Sequence, residues 1–140
     1  TKSWAGAFGL MQLMPVTAER FGVSDSATVD KQIYAGVKFL KLLEKRFEDE
    51  ITKEDRIKFV LASYNVGLGH VLDAKKLATK HGKDSNIWTN NVDSFLLWKN
   101  NPKYYRDPIV EHGYARGKET FDFVKEILER YEHYKNVVKE

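Results

Sequence analysis

Apolar residues recur at helical spacing through most of the chain, with charged residues between them. Two amphipathic helices are predicted most clearly. The first begins with Asp30 as N-cap, and its apolar face is formed by Ile33, Val37, Leu40, Leu43 and Phe47. The second follows Thr52 and Asp55, which have the spacing of a capping box, and its apolar face is formed by Ile57, Val60, Leu61 and Tyr64.

The rest of the chain predicts shorter helices and one long final helix. Short helices are expected over residues 15–21, 71–78 and 92–98. The final helix is expected over residues 118–134, with its inward face formed by Phe121, Val124, Ile127, Leu128 and Tyr131. Pro102 and Pro108 bracket an aromatic segment that we expect to be irregular. Because no segment alternates like a strand, residues 1–140 are predicted to form a single all-α domain.

Composition narrows the possible functions. The chain has 140 residues and a net charge of +3 without a long basic run, so nucleic acid is not an expected partner. It has no cysteine, which excludes disulfides and thiol nucleophiles. No apolar run reaches membrane-spanning length, and we therefore expect membrane association only through segments preceding Thr1. Since the chain does not start with methionine, it is expected to be a fragment or a processed form.

The first candidate for chemistry is the segment of residues 3–15. Gly9 lets the backbone approach a ligand, Met11 offers a deformable apolar surface, and Gln12 carries both a donor and an acceptor. These properties suit the wall of a pocket for an uncharged polymer with polar edges, such as a glycan. The alternative is an ordinary core stripe, because Leu10 and Leu13 have helical spacing.

Two later segments are further candidates. Tyr64 and Asn65 precede a pair of glycines, and an asparagine amide at a helix end can bind an acetamido group. Alternatively, they are a core aromatic residue and a turn. Glu119 with Tyr114 stands at the start of the last helix, where an acidic residue also simply complements the helix dipole.

Other common sites are not indicated by the sequence. The four histidines lack metal-ligand spacing and are expected at solvated surface or turn positions. No nucleophile elbow, P-loop or dinucleotide fingerprint occurs. We therefore expect no metal and no cofactor.

In series, the three candidate segments resemble the soluble lytic transglycosylase (SLT) family, glycoside hydrolase family 23, which is related to goose-type lysozyme. The resemblance rests on GLMQLMP at residues 9–15, SYNVGLGH at residues 63–70, and Glu119 with Thr120, Val124 and Tyr131. Residues 114–117 are most similar to the membrane-bound lytic transglycosylase F branch. The resemblance covers nearly the whole chain.

The resemblance implies a lysozyme-like helical domain that cleaves the β-1,4 bond between N-acetylmuramic acid and N-acetylglucosamine in the glycan strand of peptidoglycan. In this family the C6 hydroxyl of the muramic acid attacks its own anomeric carbon and leaves a 1,6-anhydro end, so one carboxyl group suffices, unlike the usual pair. The alternatives are a goose-type muramidase that hydrolyses the same bond and a non-catalytic peptidoglycan-binding module.

The resemblance also implies roles for individual residues. Ser3 and Tyr64 are assigned to the catalytic centre, Ser3 beside the catalytic carboxylate and Tyr64 orienting the acid or the reacting sugar. The residues implied to contact or frame the substrate are Gly9, Met11, Gln12, Asn65, Tyr114 and Glu119.

The catalytic glutamate itself lies in a Glu-Ser pair that, in this numbering, precedes Thr1. We therefore expect a chain that lacks the N-terminal helix bearing it. A rearranged order and a pseudoenzyme are the alternatives. The family resemblance implies a bacterial periplasmic or outer-membrane location, and we expect a monomer.

Overall fold

A computed structural model of the protein describes residues 29–48 and 51–138. Within these residues there is no strand, which confirms the all-α prediction. The chain falls into two compact units, Thr1–Arg46 and Phe47–Glu140, and the single-domain prediction stays a prediction. The helices are α1 (Val29–Arg46), α2 (Lys53–Val66), α3 (Leu68–Lys80), α4 (Asp93–Leu97), α5 (Pro102–Tyr105) and α6 (Gly117–Val138).

Helix α1, in the first unit, differs from the predicted helix in its start and in its buried face. It begins at Val29, so Asp30 lies in the first turn instead of at the N-cap and complements the helix dipole there. Ala35 and Leu43 are buried, whereas the predicted inward residues Ile33 and Val37 are exposed. The buried stripe is thus turned toward small residues, which an apolar pattern built on large side chains does not detect.

Helix α2 opens the second unit with the predicted cap. The Oγ1 atom of Thr52 accepts a hydrogen bond from the backbone N–H of Asp55 at 3.3 Å. The carboxylate of Asp55 in turn accepts the backbone N–H of Trp88 at 3.1 Å. The capping pair therefore also ties a distant turn, Trp88–Val92, to the start of α2.

A single residue joins α2 to α3. Gly67 has φ 107° and ψ 140°, a conformation that L side chains rarely adopt, and its N–H donates to the carbonyl oxygen of Ser63 at 2.9 Å. Helix α3 consequently starts at Leu68, earlier than the predicted residue 71. Of the pair of glycines after Asn65, only Gly67 forms the turn, whereas Gly69 lies inside α3.

The core of the second unit is built around the buried ring of Phe59. Its centroid lies 5.4 Å from those of Phe47 and Trp88, and the Trp88 ring meets it edge-on. The Nζ atom of Lys75 lies 5.4 Å from the Phe59 centroid. Trp88 is therefore a core residue.

The segment predicted to be irregular contains helix α5. The side chain of Asn101 accepts the backbone N–H of Lys103 at 3.0 Å and caps this single turn, which starts with Pro102. Proline suits the first helical position because its missing N–H would have no helical partner there. The local signal was thus an asparagine cap followed by proline, and the prediction of irregular structure was wrong for these residues.

Helix α6 packs on α2 and begins in close contact with α4. A β-carbon on Gly117 would overlap the carbonyl oxygen of Leu96, so the first turn of α6 lies directly on the backbone of α4. Val124 is buried as predicted, but Ile57 and Tyr131 are exposed. They line a groove of 660 Å³ between α2 and α6, together with Glu54, Lys58, Leu61, Ile127, Leu128 and Glu132. None of the described helices is long and apolar enough to cross a membrane.

Candidate functional site

Four of the eight predicted site residues belong to the described part of the chain: Tyr64, Asn65, Tyr114 and Glu119. The other four, Ser3, Gly9, Met11 and Gln12, lie outside the described residues, as does the predicted helix over residues 15–21.

Asn65 connects the end of α2 to the start of α6. Its Oδ1 atom accepts a hydrogen bond of 2.7 Å from the hydroxyl of Thr120, which is buried in the first turn of α6. Asn65 itself is exposed, so its amide nitrogen can still donate to a ligand while its oxygen is held. The bond brings the second and third candidate segments together, because Glu119 is the neighbour of Thr120.

Tyr64 precedes Asn65 and is half-buried. Burial raises the pKa of its phenol to about 12. The hydroxyl therefore keeps its proton across the physiological pH range. Tyr64 is suited to donate a hydrogen bond and not to act as a base.

The side chains of Glu119 and Tyr114 are both exposed. The Oε1 atom of Glu119 lies 3.6 Å from Nη1 of Arg116, an exposed pair of small energetic weight. The ring of Tyr114 meets the ring of Tyr105 edge-on, with 5.7 Å between centroids. Glu119 thus lies close to Asn65 through the α6 start, whereas the described ring contact of Tyr114 is with α5.

A buried ion pair was missed by the sequence analysis. The Nζ atom of Lys99 donates to Oδ2 of Asp73 at 2.6 Å, and both side chains are 0% exposed. Asp73 also accepts the backbone N–H groups of Glu111 and His112, each at 2.9 Å. The pair therefore fixes the loop between α5 and α6 against α3.

Hydrogen bonding decides the protonation state of this pair. Burial pushes the pKa of Asp73 upward, but hydrogen bonds from Lys99 and from two backbone N–H groups outweigh it and bring the pKa below its ordinary 3.8. Burial lowers the pKa of Lys99, and its bond to Asp73 opposes that change. The pair is thus a carboxylate and an ammonium in direct contact.

His70 completes the cluster. Its Nδ1 atom lies 2.8 Å from Nζ of Lys99. Burial, and next the charge of Lys99, lowers the pKa of the imidazole to about 4. The prediction of a solvated or turn position was wrong for His70, because this histidine belongs to the helix α3 face that carries Asp73. A usable signal existed, since residues 70, 73, 74 and 77 share one face of α3.

The same region contains residues of metal-binding type. One ligand atom each from Asp73, Glu111 and His112 lie within 4.8 Å of one another. Both oxygens of Asp73 are already used by Lys99 and the two backbone N–H groups. This carboxylate therefore serves the ion pair and the loop, which accounts for the clustering.

Comparison with known proteins places these motifs in a family. The model of the "Transglycosylase SLT domain" family matches residues 1–87. A membrane-bound lytic murein transglycosylase F of Desulfosudis oleivorans is 42% identical over 131 residues, which are 94% of this chain and 28% of that protein. The protein of the same name from Aliivibrio fischeri is 37% identical over 131 residues, covering 94% of this chain and 26% of its own length.

The protein of that name from Mannheimia succiniciproducens is 41% identical over 122 residues, covering 87% of this chain and 25% of that protein. The chain thus spans about a quarter of the length of these relatives. Since the family model covers well over half of the 140 residues, the chain belongs to the SLT transglycosylase domain family.

Proposed function

We propose that this chain is part of a lytic transglycosylase that cleaves the β-1,4 bond between N-acetylmuramic acid and N-acetylglucosamine in peptidoglycan and leaves a 1,6-anhydro end. The observation that carries the proposal is the family match over residues 1–87. The hydrogen bond between Asn65 and Thr120 supports it, because it joins two segments of the family resemblance at one place.

In the proposed reaction a single carboxyl group first donates a proton and then accepts one. A carboxylic acid protonates the glycosidic oxygen as the bond from the anomeric carbon breaks, and the C6 hydroxyl attacks that carbon and returns its proton to the carboxylate. No water is consumed. We assign the acid to a glutamate that precedes Thr1, beside Ser3. Glu119 is unsuited to the role, because it is exposed and paired with Arg116 and thus lacks an apolar pocket.

The described residues have supporting roles in this proposal. The protonated hydroxyl of Tyr64 donates to the acid or to the reacting sugar, and the amide nitrogen of Asn65 donates to an acetamido oxygen. Outside the described residues, Gln12, Met11 and Gly9 are proposed to contact the glycan strand. Tyr114 and Glu119 are outer contacts with the glycan strand, through a ring face and a carboxylate.

The place of action follows from the substrate. We propose that the protein acts in the bacterial envelope, in the periplasm or at the outer membrane, as a monomer. The relatives, which are named membrane-bound lytic murein transglycosylases, support this location. Any membrane attachment is assigned to parts of the protein outside residues 1–140.

Product analysis tests the reaction. Full-length protein is incubated with purified sacculi, and the released muropeptides are identified by mass spectrometry. We expect 1,6-anhydro ends, and a Gln12→Ala variant that releases the same products more slowly. Reducing ends in their place would mean a goose-type muramidase. Retention on sacculi without any product would mean a binding module.

A further inference from the structure

We propose that His70 is a further substrate-binding residue, a neutral hydrogen-bond donor to an acceptor oxygen of the glycan, and that Lys99 is the positioning residue that fixes its tautomer. This inference rests on the proposed function for the identity of the ligand. It rests on the geometry around Lys99 for the state of the imidazole.

The tautomer follows from the chemistry of Lys99. An ammonium group has donors and no acceptor, and Nζ of Lys99 is held as an ammonium by the carboxylate of Asp73 at 2.6 Å. The Nδ1 atom of His70, 2.8 Å from the same Nζ, must therefore accept. An imidazole that accepts at Nδ1 is neutral and carries its proton on Nε2.

Burial makes this arrangement rigid. Lys99 is completely buried, and Asp73 is held in turn by two backbone N–H groups. A competing tautomer of His70 would place two donors against each other in a site without solvent on the Lys99 side. Such an unpaired buried donor is costly, so the Nε2–H form persists without a ligand.

The Nε2–Cδ2 edge of the His70 ring lies near the end of α2. Nε2 lies on the opposite side of the imidazole from Nδ1, and the adjacent Cδ2 is 3.9 Å from the β-carbon position of Gly67. Gly67 lies two residues after Asn65, and His70 is partly exposed. The donor edge of His70 is thus close to the end of α2, where Asn65 presents its amide.

The groups that face His70 leave its charge state defined. Lys99 and His112 oppose its protonation and Asp73 favours it, with burial the largest influence. The ring of His112 lies 6.1 Å from that of His70 and packs over Gly69, where a β-carbon would come within 2.6 Å of its Nε2. The imidazole of His112 is therefore a neighbour of the His70 ring, and the proposed donor remains Nε2 of His70.

Spectroscopy tests the tautomer independently of activity. Full-length protein with ¹⁵N-labelled histidine is measured by NMR, and the His70 signal is identified by its loss in a His70→Asn variant. We expect the neutral Nε2–H pattern from pH 5 to 8. Titration of His70 near its ordinary pKa, or an Nδ1–H pattern, would overturn the role of Lys99.

Two substitutions separate binding from structure. His70→Asn places an amide oxygen near the Nδ1 position and keeps the acceptor for Lys99, whereas His70→Gln places its amide near the Nε2 position and keeps the outer donor. We expect the dissociation constant for a soluble peptidoglycan tetrasaccharide to rise about tenfold in His70→Asn and to stay within about twofold in His70→Gln. A purely structural histidine would give the reverse order or equal affinities.

These outcomes are distinguishable from failure of the proposed function. If wild-type protein releases no 1,6-anhydro ends, the proposed reaction fails while the tautomer result stands. If the tautomer is found but both variants bind the tetrasaccharide like wild type, the contact between His70 and the glycan is wrong and the proposed reaction is unaffected.

Discussion

The hydroxyl of Thr120 donates a 2.7 Å hydrogen bond to the side-chain oxygen of Asn65, across 55 residues of chain. This contact joins the last turn of α2 to the first turn of α6. It also fixes which way the Asn65 amide points, because the oxygen faces Thr120 and the nitrogen is directed away. The orientation of a proposed substrate contact is therefore set by a buried threonine.

Replacing Thr120 with valine removes this bond. We expect Thr120→Val to lower the free energy of unfolding by about 1 kcal/mol and to slow turnover of sacculi, because the Asn65 amide loses its fixed orientation. Thr120→Ser is the control, since it keeps the hydroxyl. Urea unfolding and muropeptide release measure the two effects, and equal turnover of Thr120→Val and wild type would contradict the orienting role.

An alanine at Gly117 tests the close approach of α6 to α4. The added β-carbon would overlap the carbonyl oxygen of Leu96, so the start of α6 must shift. We expect Gly117→Ala to lower the free energy of unfolding by about 3 kcal/mol or more. Gly82→Ala is the matched control, because Gly82 has φ 77° but nothing within 4 Å of the β-carbon position, and its cost is about 1 kcal/mol. Similar melting temperatures for both variants would argue against the tight contact.

The buried pair predicts a large penalty for losing its cation. Lys99→Met leaves the carboxylate of Asp73 buried without its partner. We expect this change to lower the free energy of unfolding by about 3–5 kcal/mol. Lys76→Met is the control, because Lys76 pairs with Glu111 with side chains 43% and 69% exposed, and its cost is at most about 1 kcal/mol. Denaturant midpoints that differ little between the two variants would refute a buried ionised pair.

Stability is expected to depend on pH through His70. Its pKa falls from 6.5 to about 4 on folding, so between these values the unfolded chain binds more protons. The contribution of His70 to the free energy of unfolding is therefore complete above pH 6.5 and is lost as the pH falls from 6.5 to 4. The pKa of Asp73 is lowered from its ordinary 3.8 in the folded protein, so its contribution to stability is lost only at still lower pH.

The check is the difference in unfolding free energy between wild type and His70→Asn, measured from pH 7 to pH 4. The raised pKa of Asp93, caused by burial, acts in the opposite direction but is common to both proteins and cancels. Parallel curves for the two proteins would show that His70 titrates alike in the folded and unfolded states.

Tyr64→Phe removes the phenolic donor and keeps the half-buried ring. We expect turnover of sacculi to fall about tenfold, the equivalent of one lost hydrogen bond, with no more than about 1 kcal/mol change in stability. Tyr131→Phe, at an exposed position lining the α2–α6 groove, serves as the control and keeps full turnover. Undiminished turnover in Tyr64→Phe would remove the residue from the catalytic centre.

Local signals predicted most of the helices correctly. Thr52 caps α2 as its spacing suggested, and the apolar repeat located the final helix. The pattern did not determine which apolar positions are covered: Ile57 has the right spacing but borders an open groove. Burial depends on neighbours from elsewhere in the chain, which a local repeat does not contain.

The ion pair could not be predicted for a related reason. Asp73 is close to Lys75 and Lys76 in the sequence, and this cluster of charges is typical of a solvated helix face. Its partner, Lys99, is 26 residues away in a segment of weak periodicity. Asp73 on the apolar face of α3 was the available hint, whereas the identity of its partner is a property of the tertiary fold.

Because Gly67 alone joins α2 to α3, the rotation of α3 about its axis relative to α2 is fixed. Each residue of a helix advances it by roughly 100°, so inserting or deleting a single residue at the joint would rotate α3 by that angle relative to α2. Asp73 and His70 would turn away from Lys99 together, while Asn65 stayed bonded to Thr120. A chain that keeps both contacts has no freedom of length at this point, and loop insertions have to be accommodated elsewhere.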